Sequence, residues 1–374
     1  MSRANRVCRP WTPCYGRGVA PLYDRVLAFI DDAGTERFET LALEVFAHQF
    51  AHCAAYRQYC LTRGRTPAVV GEWQAIPPVP IVAFARADLC CGTPVRTFLS
   101  SGTTGGAANR SRHQLPDLRL YQRSAVAGLR RFLFPDAPRM RLVSIIPRAD
   151  ERPESSLAQM VAWAMEAFGS ADSVYAVDPD GIAFDALVAA LRGSERDGQP
   201  LCLFATTGAL VRVIDYCREH ALAFRLPHGS RLMDTGGDKG APRHLSRRGI
   251  LHAAWHAFAI PGYFCVNEYG MAELSSQYYD SVVADRVRGQ HRPRRKLGPH
   301  WVRTLVLDPE TLTAVAPGVR GLLCHVDLAN AGSAMAILSE DVGSLAGDGF
   351  QLVGRAAGAP SRGCSLTAAQ WDAA

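Results

Sequence analysis

The stretch "PLCLFATTGALVRVIDYCREHAL", Pro200–Leu222, changes its apolar period part-way along. Pro200 to Ala205 is a short unbroken apolar run, the pattern of a strand buried on both faces. From Gly208 onward apolar residues recur at helical spacing, which predicts a helix. The same exchange repeats on either side. Upstream, "MRLVSIIP" (140–147) reads as a buried strand and "SSLAQMVAWAMEAFG" (155–169) as a helix capped by Ser155 or Ser156. "SVYAVD" (173–178) then reads as a strand and "FDALVAALRG" (184–193) as a helix, while downstream "SRLMDTGG" (230–237) reads as a strand. Strand and helix in alternation predict an α/β fold, a parallel sheet with helices on its faces. Such sheets bind ligands beyond the carboxyl ends of their strands. Three Gly-rich or polar loops follow strands here: "SSGTTGG", "TGGDKG" and "NEYGMAE".

The flanks differ. "FETLALEVFAHQFAHCAAYRQYCLTR" (38–63) has helical spacing and neither Gly nor Pro, predicting one or two amphipathic helices. "IPPVPIVAF" (76–84) is predicted extended, because its prolines remove backbone donors and restrict the residues before them. After about residue 300, "WVRTLVLDP", "GLLCHVDL", "SAMAILSED" and "GFQLVGR" are short strand candidates between turns, predicting a small antiparallel β unit. The expected organisation is a single domain over 1–374, with a helical part at 1–95, an α/β nucleotide-binding core at 96–285 and the β unit with a cysteine-bearing tail at 300–374.

With 374 residues, 48% of them hydrophobic and 20% charged, the chain can bury a large core. Its eleven cysteines form no CxxC pair, an arrangement that fits reduced thiols better than a disulfide framework. No segment approaches the roughly 18 apolar residues of a membrane span, and the amino terminus lacks the apolar run of a signal peptide. A cytoplasmic location is expected. The net charge of +6 is mild, although "RVRGQHRPRRKLGPH" (286–300) concentrates basic residues. That run reads as a solvated linker, or as a contact for an acidic carrier or nucleotide. Nucleic acid is disfavoured, since no aromatics interleave the charges.

The loops carry the chemistry-bearing side chains. "SSGTTGGAANRSRH" (100–113) offers hydroxyls and glycines whose backbone can approach phosphate oxygens, but no Gly-Lys-Ser/Thr of a Walker loop. A Ser/Thr/Gly cluster between a strand and a helix is also an ordinary turn. "MDTGGDKG" (233–240) supplies one cation, Lys239, or is a surface turn. "VNEYGMAE" (266–273) brings an aromatic ring, Tyr269, and a carboxylate suited to Mg²⁺, Glu273, or is a strand end entering a helix. "SEDVG" (339–343) offers Asp341 for a ribose diol, and "GFQLVGR" ends in Arg355.

The order "SSGTTGG", "NEYGMAE", "SEDVG", "GFQLVGR" resembles the adenylate-forming superfamily of acyl-CoA synthetases, nonribosomal-peptide adenylation domains and firefly luciferase. Within it, "FLSSGTTGG…RSRH", "ESSLAQMV", "NEYGMAELSSQYYD", "HVDLANAGS" and "GR…RGCSL" resemble in particular the acyl-protein synthetase family of bacterial luminescence. The resemblance implies that ATP and a carboxylic acid, of the fatty class, give an acyl-adenylate and pyrophosphate, after which the acyl group moves to a thiol. It implies that Ser101, Gly102, Thr103, Thr104 and Gly105 bind the β/γ-phosphates, that Glu273 binds Mg²⁺, and that Tyr269 and Gly236/Gly237 flank adenine. Asp341 would hold the ribose hydroxyls, Arg355 would serve the α-phosphate side or a hinge, and Lys239 would orient the acid.

Superfamily members usually continue past the "GR" segment into a lid that carries a catalytic lysine; here that lid and its lysine are expected to be truncated or absent. "TGGDKG" also has Asp238 where an aromatic or apolar residue is commoner, and no lysine follows Phe84. Three readings stay open. The acyl group passes to Cys364 and on to a protein such as a fatty-acyl reductase; it passes directly to coenzyme A or a carrier protein's phosphopantetheine; or the chain is a non-catalytic nucleotide-binding subunit. Arg362, two residues from Cys364, would lower that thiol's pKa.

Overall fold

The computed structural model describes residues 19–100, 110–236 and 244–355. Its amino-terminal part consists of helices α1 (Val19–Asp31), α2 (Phe38–His52) and α3 (Ala54–Thr62). The helical pattern of 38–63 resolves into two helices because Cys53 takes an extended backbone, φ −109° and ψ 102°, between them. In "IPPVPIVAF" the prolines enforce extension through β1 (Val79–Pro80), and the Tyr56 and Tyr59 hydroxyls donate to the Pro77 and Pro78 carbonyls. The extension stops short of the segment's end. Ala83–Arg86 is a single helical turn, α4, which starts once Pro80 no longer restrains the chain.

Strands β2 (Arg96–Leu99) and β3 (Arg112–Leu115) form an antiparallel pair with Leu99 opposite Arg112. The Ser/Thr/Gly loop therefore joins two strands and not a strand and a helix. The alternating region follows: α5 (Leu118–Phe132), β4 (Arg141–Ser144), α6 (Ser156–Phe168), β5 (Val174–Tyr175), β6 (Val177–Asp178), β7 (Gly181–Ile182), α7 (Phe184–Asp197), β8 (Leu201–Thr206), α8 (Thr207–Glu219), β9 (Arg231–Thr235), α9 (Arg247–Phe258) and β10 (Cys265–Tyr269). Ser155, not Ser156, caps α6 by accepting from the Ala158 amide, and Thr206 caps α8 by accepting from Ala209, each worth about 1 kcal/mol. "SVYAVD" splits, since β5 joins the main sheet and β6 pairs with β7.

The remaining elements are β11 (Tyr278–Asp280), α10 (Val282–Val287), β12 (Lys296–Leu297), β13 (Val302–Leu307), β14 (Gly321–Asp327), β15 (Ala336–Ala346) and β16 (Gly349–Arg355). One sheet runs in the order β13-β14-β15-β16-β12-β11-β10-β9-β8-β4-β5, with β1 alongside β15. It is parallel from β10 to β5 and antiparallel from β10 across to β13. The expected antiparallel unit is thus the other half of the same sheet. One core packs helices such as α5, α6 and α8 on the parallel strands, around Leu142, Leu203 and Leu232. A second packs α1 to α3 on the antiparallel half, around Phe46, Val326 and Ile337. The Gln49 amide ties the two parts of that second core by donating to the Asn330 carbonyl at 2.9 Å.

The basic run is not a solvated linker. Arg292 stays at the surface against Asp348, but Arg294, Arg295 and Lys296 turn inward. Lys296 lies 3.1 Å from Asp280 and 2.6 Å from the Asn267 carbonyl; Arg294 lies 2.5 Å from Asp280 and Arg295 3.0 Å from Asp285. These cations can be buried because β11 and α10 bring carboxylates to meet them.

Candidate active site

The carboxyl ends of β9 and β10 and the crossing of β15 with β16 form one region. At the end of β9, Gly236 has φ +74°, a left-handed conformation that a side chain would strain. Its carbonyl lies 2.9 Å from the Thr207 hydroxyl, which also lies 3.0 Å from the Asp234 carboxylate. Asp234 is anchored in turn by Arg247 at 2.5 Å and by the Asn267 amide at 2.9 Å. The start of α8 and the loop after β9 are thereby fastened to β10. Gly237 and Lys239 lie outside the described residues.

Along β10, alternate residues face opposite sides of the sheet. Thr235 donates to the buried carboxyl of Glu268, which burial pushes up to about 7. Tyr269 is buried among the rings of Tyr278, His325 and Phe350, and its hydroxyl donates to Asp341 at 2.8 Å. Gly270 then permits the turn, since a β-carbon there would collide with the Glu268 carboxyl.

Glu273 sits in that turn and is buried. Burial raises its pKa, while the Ser111 hydroxyl and the charge of Arg355 oppose the rise. Two neighbours fix the turn: His113 Nδ1 donates to the Ala272 carbonyl at 2.8 Å, and the Asn330 amide donates to the Glu273 carbonyl at 2.8 Å. Ser111 and His113 belong to the neck of the Ser/Thr/Gly loop. There the Ser100 amide donates to the Ser111 carbonyl at 3.0 Å and the Ser111 amide to the Ser100 hydroxyl at 2.9 Å. Ser101, Gly102, Thr103, Thr104 and Gly105 themselves lie outside the described residues.

Asp341 and Arg355 face each other across the β15–β16 pair, 3.5 Å apart. With the arginine side chain 54% exposed, this ion pair is worth about 0–1 kcal/mol, so the guanidinium can move to another anion at little cost. Of the expected site residues, the structure brings together Tyr269, Glu273, Asp341 and Arg355, with Gly236 just past the end of β9, the strand next to β10. Neither spacing nor composition marks Ser111 as a partner of Glu273 or His325 as a partner of Tyr269. Only their presence within "RSRH" and "HVDLANAGS" pointed to them.

Two carboxylates face one guanidinium here, and among the described residues there is no group of three metal ligands. A phosphate chain in this place would need added positive charge. A buried carboxylate whose pKa burial raises is a group that a cation would return to its ionised form, so Glu273 is suited to serve as one ligand of a divalent cation that would supply this charge.

A family model described as acyl-protein synthetase, LuxE, matches residues 22–371. The chain belongs to the acyl-protein synthetase family. Membership makes it an enzyme, a ligase of the AMP-forming class, and bears out the resemblance read from the loops. A curated relative, the long-chain-fatty-acid–luciferin-component ligase of Aliivibrio fischeri, is 23% identical over 314 residues, 82% of this chain and 78% of that one. Among solved structures, a 2-hydroxyisobutyryl-CoA ligase in the postadenylation state superposes with a TM-score of 0.61 at 15% identity over 84% of this chain. An open conformation of that ligase gives 0.60 at 14% identity over 83%. The synthetase chain spans 64% of the ligase's length in the first comparison, and at such identities the likeness is one of fold.

No helix among the described residues is long and apolar enough to cross a membrane. Eight of the eleven cysteines are described, all as free thiols; seven are buried and Cys90 is half-buried. Burial pushes Cys90 up to about 11 and Cys60, Cys202 and Cys324 up to about 12. Such thiols are poor nucleophiles at neutral pH. Cys8, Cys14 and Cys364 lie outside the described residues.

Proposed function

We propose that this synthetase condenses a carboxylic acid, of the fatty class, with ATP to give an acyl-adenylate and pyrophosphate, and then transfers the acyl group to Cys364 and on to a partner protein. The observation that carries the reading is the convergence of Glu273, Tyr269, Asp341 and Arg355 at the neck of the Ser/Thr/Gly loop. Three parts of the chain, the loop neck, the end of β10 with its turn and the β15–β16 hairpin, meet there with the groups that a nucleoside triphosphate requires.

In the first step a carboxylate oxygen bonds to the α-phosphorus and pyrophosphate leaves with the electrons of the bridging bond. Arg355, loosely paired with Asp341, swings to the α-phosphate and offsets charge as the anions approach. Asp341 accepts from the ribose hydroxyls. Residues Ser101 to Gly105 donate to the β- and γ-phosphates, and Lys239 orients the acid. Mg²⁺, held through Glu273, would supply charge neutralisation for the departing pyrophosphate. In the second step the Cys364 thiolate attacks the acyl carbonyl and AMP leaves, giving a thioester that a second thiol on a fatty-acyl reductase or carrier protein takes up. The high pKa values of the described cysteines support a thiol elsewhere as the acceptor.

The acid's chain has a candidate place. A cleft of about 290 Å³ opens at the carboxyl ends of β4 and β8, with Ile145, Val177, Ile182 and Ala209 among its walls and Arg212 and Arg152 beside them. The test is acid-dependent exchange of labelled pyrophosphate into ATP, followed by mass measurement of the intact protein. An acyl adduct that hydroxylamine removes and Cys364→Ser abolishes is the expected result. Exchange with an adduct that survives Cys364→Ser would reject self-acylation at that thiol, and transfer to coenzyme A in the variant would favour direct ligation.

A further inference from the structure

His325 lies on β14, a strand buried along its whole length, with no solvent access of its own. Its two ring nitrogens both meet hydroxyls. Nε2 lies 3.2 Å from the Tyr269 hydroxyl, and Nδ1 lies 2.9 Å from the Tyr278 hydroxyl and 3.1 Å from that of Thr304. The Thr304 hydroxyl lies a further 2.8 Å from that of Tyr278. Counting protons assigns every donor. Tyr269 has one hydroxyl proton and gives it to Asp341, because a carboxylate can only accept. The Tyr269 oxygen must then accept from His325, which places the ring proton on Nε2. Burial keeps the imidazole neutral, so Nδ1 is bare and accepts from Tyr278, whose oxygen in turn accepts from Thr304. The chain Thr304 to Tyr278 to His325 to Tyr269 to Asp341 has one direction throughout.

It also crosses the sheet. Thr304 and His325 are paired across β13 and β14, and Tyr269 and Tyr278 across β10 and β11. Phe350 packs its ring within 5.1 to 5.8 Å of the Tyr278, Tyr269 and His325 ring centres and closes the chain from water.

We propose that His325 is a positioning residue for the nucleoside: through its Nε2 hydrogen it fixes the Tyr269 hydroxyl on Asp341 and so aims that carboxylate at the ribose. The inference rests on the proposed adenylation and on Asp341 as the ribose acceptor. Removing the imidazole frees the Tyr269 hydroxyl to donate elsewhere and leaves Asp341 without its fixed partner. The loss should fall on recognition of the sugar and not on the acid.

The test compares ATP with 2′-deoxy-ATP and 3′-deoxy-ATP in acid-dependent pyrophosphate exchange, in the wild type, His325→Leu, His325→Gln and Tyr278→Phe combined with Thr304→Val. The wild type should discriminate against at least one deoxy analogue by roughly ten-fold or more in kcat/KM, the worth of a hydrogen bond to a charged group. In His325→Leu that discrimination should collapse toward unity, with KM for ATP raised and KM for the acid unchanged. His325→Gln, whose amide can donate to Tyr269 and accept from Tyr278, should restore much of it. Should His325→Leu not fold, Tyr278→Phe combined with Thr304→Val carries the test, since the pair keeps the imidazole, removes both hydroxyls that reach Nδ1 and should weaken discrimination in the same direction. Full discrimination in the folded variants would overturn the positioning role while leaving adenylation intact. Absence of exchange in the wild type with every acid would overturn the adenylation reading, and this inference with it.

Discussion

Replacing Glu268 by Gln should change how stability depends on pH more than stability itself. The carboxyl is buried on β10, receives a hydrogen bond from Thr235, and is pushed by burial to about 7 from an ordinary 4.5. Between those values the folded protein holds a proton that the unfolded chain has released. The carboxyl's contribution is therefore complete below about pH 4.5 and is lost as pH rises through about 7. At ~1.4 kcal/mol for each pH unit, the full loss comes to about 3 kcal/mol at most. Gln keeps an acceptor for Thr235 but does not titrate, so the variant should gain on the wild type by up to that amount between about pH 5 and about pH 8. The assay is urea unfolding of both proteins at the two pH values. With a slope near 3 kcal/mol/M, the difference in midpoints should move by about 1 M in the variant's favour at the higher pH. Equal differences at both pH values, or a shift favouring the wild type, would refute the assignment of a protonated buried carboxyl.

Glu273→Ala should abolish pyrophosphate exchange by about a hundred-fold or more while the protein stays folded, checked by exchange kinetics and circular dichroism. Lys296→Met removes one of three cations around Asp280 and leaves Asn267 without its donor, and should destabilise the fold by about 1–3 kcal/mol, measured in urea. Gly236→Ala forces a side chain into φ +74° and should cost about 1–2 kcal/mol, with KM for ATP raised more than KM for the acid.

The alternating period of 140–237 exposed the parallel half of the sheet directly, because strands buried on both faces and amphipathic helices differ in pattern. The antiparallel strands after residue 300 were visible for the same reason, but their continuity with the parallel half was not. That continuity depends on β11 and on two-residue β12, Lys296–Leu297, hidden inside a basic run. Composition marked Arg294, Arg295 and Lys296 as solvated, since it cannot show that Asp280 and Asp285 return to meet them. The site divided along similar lines. Tyr269, Glu273, Asp341 and Arg355 stand in loops or at strand ends, where polar residues attract notice. His325 stands in the middle of a buried strand, and its role comes from partners 21, 47 and 56 residues away in sequence.

The burial of the described thiols has a consequence for an enzyme whose intermediate is a mixed anhydride. An acyl-adenylate reacts with any accessible thiolate, and a chain with eleven cysteines offers many sites for accidental self-modification. By burying these thiols and so raising the pH at which they ionise, the fold keeps them protonated and inert to its own product. Loosening a core, through mutation or heat, should then show first as misplaced acyl groups on cysteines such as Cys60 or Cys202, before activity falls.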